Sequence, residues 1–328
     1  MSIDCQALAE SLSRHPSILG KLAIGQLAGA LGLDPNGIGR PGDDAAILDN
    51  AAGGFDLLAG EGFIPAFVAD DPWFAGWCGV MVNLSDIAAM GGSAVALVDQ
   101  VWAPSPDAAA PLLAGLRAAS QAYGVPIVGG HTNFGASELG LAVTVLGRSR
   151  GLVTSFDAKP GDTLVAVIDM HGAYRPSFDN FCAALDKPHE RLRGDLALVS
   201  YLAERRIFKA GKDISQGGIA GTALMLAEAS GVGIDLHLDR VITPEGVPLE
   251  RWLRTFPSFG FLMTMPARKV MRFAEAFWER GIHAGPIGEV TRSTEVTFHS
   301  RGHSAPFWDW RARPYLRPAP ASSEGSDA

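Results

Sequence analysis

Four aspartates stand where glycines and turns bring the backbone close to a ligand, the setting in which carboxylates do metal chemistry. Asp43 and Asp44 lie in Arg40-Pro41-Gly42-Asp43-Asp44-Ala45-Ala46, between a turn and a strand-like run. Asp86 lies in Asn83-Leu84-Ser85-Asp86-Ile87-Ala88-Ala89-Met90-Gly91, inside an apolar stretch where an unpaired charge is costly unless neutralised. Residues 76–91 contain no basic side chain, so any partner for Asp86 must come from elsewhere in the chain. Asp213 lies in Gly211-Lys212-Asp213-Ile214-Ser215-Gln216-Gly217-Gly218, just ahead of a helical pattern. Magnesium takes oxygen ligands and combines one or two carboxylates with phosphate oxygens and water, so scattered acids that converge in space suit it. One such acid alone fits a cap, a turn or a buried ion pair equally well; three motifs in order favour the metal.

Two glycine pairs offer backbone amides to an anion. Gly129-Gly130-His131-Thr132 follows residues 125–128, which read as a buried strand, and would direct His131 and Thr132 at a phosphate. A tight turn with a half-buried histidine is the alternative. Gly217-Gly218 precedes an apolar helix and is a second anion site or simple turn-and-cap chemistry. Gly37-Ile38-Gly39-Arg40-Pro41-Gly42 spells GxGxxG, but no strand precedes it and Pro41 and two acids occupy its end, so it reads as a flexible loop. The chain has no GxxxxGK[ST], HExxH or GxSxG, which removes the common phosphate-loop, zinc-protease and serine-hydrolase readings.

The elements that must hold these residues alternate between strand and helix periodicities. Leu8, Leu12, Ile18, Leu22, Leu27 and Leu31 recur at helical intervals up to a break at Pro35-Asn36-Gly37. Strand-like runs at 45–48 and 55–59 lead to a helix from Pro72 to about Met90, which Gly91-Gly92 ends. Strands are expected at 94–101, 139–146, 163–168, 233–238 and 261–265, with helices at 107–123, 191–205, 218–230 and 267–280. Turn residues at 158–162 set a domain boundary near residue 155, giving domains at 1–155 and 156–312 and a flexible Pro-, Ser- and Gly-bearing tail at 313–328.

The 328 residues, 47% hydrophobic and 19% charged, suffice for two globular domains. A net charge of −8 is the opposite of a nucleic-acid footprint, although metal-bound carboxylates still allow a polyanion such as ATP. No apolar run reaches the roughly 20 residues of a bilayer span. The N-terminus lacks a basic region and apolar core, so a cytoplasmic location is expected. Three widely spaced cysteines argue against a disulfide framework or a thiolate zinc site.

Together these segments resemble the superfamily of aminoimidazole ribonucleotide synthetase, formylglycinamidine ribonucleotide amidotransferase, thiamine-monophosphate kinase, selenophosphate synthetase and a hydrogenase maturation protein, over roughly residues 39–298. Residues 83–91 are similar to the NLSD[IL]AAMG signature of the thiamine-monophosphate kinase branch, and residues 42–46 to its GDDAA segment. Lys159-Pro160-Gly161-Asp162 looks like the KPGD turn into the second domain, and residues 212–220 resemble the HDISDGGL segment of the purine enzymes.

The resemblance implies a two-domain α/β (α+β) fold. In it, the N-terminal domains of two chains form a joint β-barrel, the C-terminal domain is an α/β sandwich, and ATP and Mg2+ bind in a groove of the homodimer. By position it implies Asp43, Asp44, Glu61, Asp86 and Asp213 as metal ligands and Asp213 and Lys212 as catalytic. It implies Asn83, Gly129, Gly130, His131, Thr132, Gly217 and Gly218 around the nucleotide. The expected activity is ATP-dependent phosphoryl transfer to, or activation of, a small molecule, as in a kinase or synthetase, with no nucleic acid or membrane partner. Three positions depart from the pattern: His131 replaces the acid of the kinase GGDT, Gln216 replaces a common aspartate, and Glu61 stands near a family aspartate. Loss of two carboxylates keeps open a nucleotide-binding regulatory or maturation-partner protein without turnover. Gly129-Gly130-His131-Thr132 is similar to selenophosphate synthetase, but Cys5 is far in sequence from Lys21, which argues against selenium chemistry.

Overall fold

The computed structural model describes residues 3–34, 37 and 40–317. Two sheets organise them. The first has five strands in the order Ala46–Asp49, Phe55–Gly62, Gly140–Ser149, Gly92–Ala103, Ile127–Phe134. All its pairs are antiparallel except the last, whose two parallel strands are joined through helix Pro106–Tyr123. Period-two alternation puts Leu141, Val143 and Val145 in a core under this helix and helix Pro72–Ala89, while Leu58 and Trp102 stand exposed. The two helices meet at backbone contact: a Cβ on Gly76 would strike the Leu112 carbonyl, and one on Gly115 the Trp73 carbonyl.

The second sheet has seven strands, ordered His303–Asp309, Glu295–Ser300, Gly233–His237, His283–Thr291, Thr163–Ile168, Gly260–Met265, Ala210–Asp213. Helix Gly218–Ser230 covers one face and helices His189–Glu204 and Ala267–Trp278 the other, each over its own apolar cluster. A small sheet of Phe256–Pro257, Asn180–Cys182 and Ala173–Tyr174 is inserted within the sequence span of the seven-stranded sheet. Within one chain the five-stranded sheet is open, with Ala46–Asp49 and Ile127–Phe134 as its edges.

Three expectations change. The single N-terminal helical pattern is broken into Cys5–Ser13, Pro16–Leu19 and Ala23–Ala30, because Pro16 starts a new helix capped by His15. Its residues Leu8, Leu12 and Ile18 join the core of the second sheet, although the sequence assigns them to the first domain. The tail expected at 313–328 begins packed: Tyr315 and Leu316 are buried, and the Glu228 carboxylate accepts hydrogen bonds from the amides of Tyr315, Leu316 and Arg317 at 2.8–3.1 Å. The remainder of that tail, and Pro35 and Asn36 of the expected break, lie outside the described residues.

Candidate active site

Asp86 reaches the site because helix Pro72–Ala89 is buried from Phe74 onward. Pro72 occupies its first turn, the Asp71 side chain caps it by accepting from the Phe74 amide at 3.1 Å, and Gly91 takes a left-handed φ of 71° beyond its end. Asp213 and Lys212 come from edge strand Ala210–Asp213, held in register by Phe261 and Leu262 opposite. Asp43 and Asp44 arrive on the loop before the first sheet, where Gly42 has a φ of 114° that a side chain would resist. The Asp43 carboxylate accepts from the Ser155 amide at 2.9 Å, which ties this loop to the junction between the sheets.

The result is a concentration of acid. Carboxylate oxygens of Asp44, Asp86 and Asp213 all lie within 4.8 Å of one another. Lys212 donates to Asp44, and the Asp213 amide approaches the other Asp44 oxygen at 3.4 Å. The Oδ2 atoms of Asp86 and Asp43 are buried with no hydrogen-bond partner. Burial, followed by Asp213, Glu61 and Asp44, holds the Asp86 carboxyl well above its ordinary pKa. Burial and Asp44 push Asp213 up to about 8 against the opposing Lys212 and Lys21 charges, and burial and Asp44 push Asp43 to about 6. Glu61 stands on an exposed stretch of its strand, yet its carboxyl turns into surroundings crowded enough to raise its pKa. Burial works against the Lys212 charge, but Asp44, Asp213 and Asp43 outweigh it and raise its pKa. An all-oxygen set with two orphaned carboxylate oxygens and mutual repulsion fits a hard divalent cation such as magnesium.

These residues line a cavity of about 510 Å³ between the sheets, to which the N-terminal segment and the loop before Asn180–Cys182 also contribute. Of the residues singled out in sequence, Asp43, Asp44, Glu61, Asp86, Lys212 and Asp213 line it. Asn83 does not: it is fully buried one turn before Asp86, donating to the Gly79 carbonyl at 2.8 Å, with its own oxygen unpaired. Gly129, Gly130, His131 and Thr132 lie within the exposed edge strand Ile127–Phe134, outside the cavity of the single chain. The strand expected to be buried at 125–128 is thus an edge with Val128 65% exposed, since no element among the described residues pairs beyond it. Gly217 and Gly218 are consumed by packing: the Gly218 amide donates to Ser215 at 2.9 Å, and a Cβ there would strike the Arg254 backbone.

Lys21 is a cavity residue that motif reading did not select. It opposes the raised pKa values of Glu61 and Asp213, so its ammonium faces the acids. Its placement depends on Ile18, buried in the second core and held by the Tyr315 hydroxyl, which donates to the Ile18 carbonyl at 2.7 Å. Only the helical period of Ile18 and Leu22 hinted at this, and period alone does not say which core a helix joins.

Comparison with known proteins agrees with this architecture. Residues 42–149 match the N-terminal domain, and residues 159–300 the C-terminal domain, of the AIR synthase related protein family. An uncharacterized protein of Synechocystis is 43% identical over 84% of this chain and 85% of its own. A thiamine-monophosphate kinase of Halobacterium salinarum is 29% identical over 71% of this chain and 82% of its own. Among solved structures, T. maritima PurL complexed with ADP superposes with a TM-score of 0.75 at 17% identity, covering 95% of this chain and 54% of that one. The present chain therefore spans about half the length of that PurL chain. With both domain matches in order across most of its length, the chain belongs to the AIR synthase related protein family.

Proposed function

We propose that this protein transfers the γ-phosphoryl group of ATP to a small-molecule acceptor in a magnesium-dependent reaction. The observation that carries this reading is the meeting of Asp44, Asp86 and Asp213 within 4.8 Å at one cavity, with the Asp86 Oδ2 buried and unpartnered. The names of relatives point the same way, among them thiamine-monophosphate kinases and selenide, water dikinases.

Asp44, Asp86 and Asp213 would hold the ion, flanked by Asp43 and Glu61; bound there, magnesium supplies positive charge to the phosphate oxygens. Lys212, fixed by Asp44, and Lys21 add fixed cations beside the transferred group. The acceptor's oxygen bonds to the γ-phosphorus as the bond from that phosphorus to the β,γ-bridging oxygen breaks. ADP leaves with the electron pair, and the Asp213 carboxylate takes the acceptor's proton. Alignment and charge neutralisation do most of such a reaction, and a walled cavity supplies both.

The same reading includes a homodimer. One copy leaves Leu58 and Trp102 exposed on the first sheet and Val128 and Phe134 exposed on an edge strand whose outer side has no partner among the described residues, an apolar surface that needs cover. Joining two such sheets into a barrel would place residues 129–132 at the interface and allow them to serve the partner's nucleotide. Calorimetry of a non-hydrolysable ATP analogue with and without magnesium tests the reading. Magnesium-dependent heat is expected; equal, negligible heats in both conditions would overturn it. Binding without ADP release across candidate acceptors would favour a regulatory partner protein instead.

A further inference from the structure

The acids account for one part of the cavity wall, and a second group of residues with different chemistry lines the rest. Phe63, Phe67 and Phe178 form an aromatic cradle: Phe63 stacks on Phe67 at 6.3 Å, and Phe178 meets Phe67 edge-on at 5.1 Å. Ser177, also in the wall, holds φ at 72°, a left-handed conformation that a non-glycine residue adopts at a cost and that is concentrated at ligand sites. Phe178 is the next residue, so the strained turn sets its position.

Beside the cradle stands a guanidinium. Arg254 lines the cavity and donates to Asp179, a carboxylate it shares with Arg251, which donates at 2.9 Å, so Arg254 is held by one contact and keeps further donors for a ligand. The Arg254 backbone is locked against Gly218. His15 adds a neutral donor. Its Nδ1 accepts from the Ser17 amide at 3.2 Å, so the ring proton sits on Nε2, which has no partner among the described residues. Adenine carries no charge to set against this guanidinium, and the proposed reaction holds the phosphates of ATP at the acids and their metal. An aromatic cradle next to a pinned guanidinium and an imidazole donor is built for a ring that carries an anion.

We propose, resting on the phosphoryl-transfer reading above, that the acceptor is a flat, apolar ring bearing one anionic group. The ring sits against Phe63, Phe67 and Phe178, with the anion on Arg254 and His15 Nε2. Phosphate and carboxylate share the chemistry this wall recognises. The test is calorimetry of phenyl phosphate and benzoate, with benzyl alcohol and inorganic phosphate as controls, each with and without AMPPCP and magnesium. At least one ring-bearing anion should bind tenfold or more tightly than both controls, and which of the two binds identifies the anion. Arg254→Gln and Phe178→Ala should each weaken that probe at least tenfold while the AMPPCP Kd changes less than twofold; Phe178 is on a partly exposed loop, so its variant is expected to fold. Absence of binding by both probes, or binding unchanged in both variants, overturns the proposal. So does loss of AMPPCP binding in Phe178→Ala, which would give the cradle to the nucleotide. Failure of AMPPCP to bind the unaltered protein defeats the nucleotide reading instead, and the titrations without nucleotide still decide the acceptor compartment.

Discussion

Lys212 on the edge strand of the second sheet is ion-paired with Asp44 on the loop that leads into the first, both side chains less than a tenth exposed. This pair joins the two halves of the chain at the acids and is, among the described residues, the one ion pair within 4 Å that Asp44, Asp86 and Asp213 make, with Lys21 facing them from farther off. Replacing Lys212 with Met leaves Asp44 buried beside Asp86 and Asp213 without a counter-charge. The apo protein should lose about 3–5 kcal/mol of stability, the range for removing one partner of a buried pair. Magnesium should restore part of it. Urea unfolding of Lys212→Met with and without magnesium measures both effects; an unchanged apo midpoint would contradict the placement.

Stability of the metal-free protein should fall as pH rises from about 4 to about 8. Asp43 and Asp213 have folded pKa values near 6 and 8, and Asp86 lies well above its ordinary value, against about 4 in an unfolded chain. Across that window these three carboxyls bind more protons in the folded state than in the unfolded, so their contribution to the slope of stability with pH is negative. His15, His237 and His283, whose pKa values burial lowers, oppose it only where imidazoles titrate, so the fall is steepest toward pH 8. Magnesium favours the ionised carboxylates and should flatten the slope. Urea midpoints at pH 5 and pH 8, with and without magnesium, show whether it does.

Glu228→Ala should destabilise the protein by about 3 kcal/mol, because the amides of Tyr315, Leu316 and Arg317 lose their shared acceptor. The effect should extend to the cavity, since Tyr315 also holds Ile18 and, through it, the segment bearing Lys21. Faster amide exchange at residues 15–22 in the variant is the expected signature. Exchange confined to residues 313–317 would show that the two segments are not coupled.

Much of the site was legible in sequence because its residues are improbable where they stand. Each acid alone fits a cap, a turn or an ion pair, and it is their recurrence in three glycine-flanked motifs that pointed to one site; Asp43, Asp44, Asp86 and Asp213 do line one cavity. Helix Gly218–Ser230, opened by a glycine pair, and strand Thr163–Ile168, an apolar run after turn residues, were readable from composition and flanking glycines. Surface position was not. The apolar residues at 125–128 look the same in a buried strand and in an edge awaiting a partner, and Gly217-Gly218 looks the same whether its backbone faces an anion or Arg254. The cavity's aromatic and basic wall has no contiguous motif, since His15, Phe63, Phe178 and Arg254 come from four distant segments.

The central claim rests on Asp86 as a cation ligand, and Asp86→Asn tests it most directly. In the metal-free protein burial and the neighbouring acids Asp213, Glu61 and Asp44 disfavour the charge on the Asp86 carboxyl, so a neutral amide of nearly the same shape should leave the apo melting temperature unchanged or slightly raised. The measurement is melting of the unaltered protein and Asp86→Asn, each with and without magnesium and AMPPCP. The account predicts intact apo stability and loss of most of the ligand-induced rise. A large drop in apo stability together with an undiminished ligand-induced rise would contradict it.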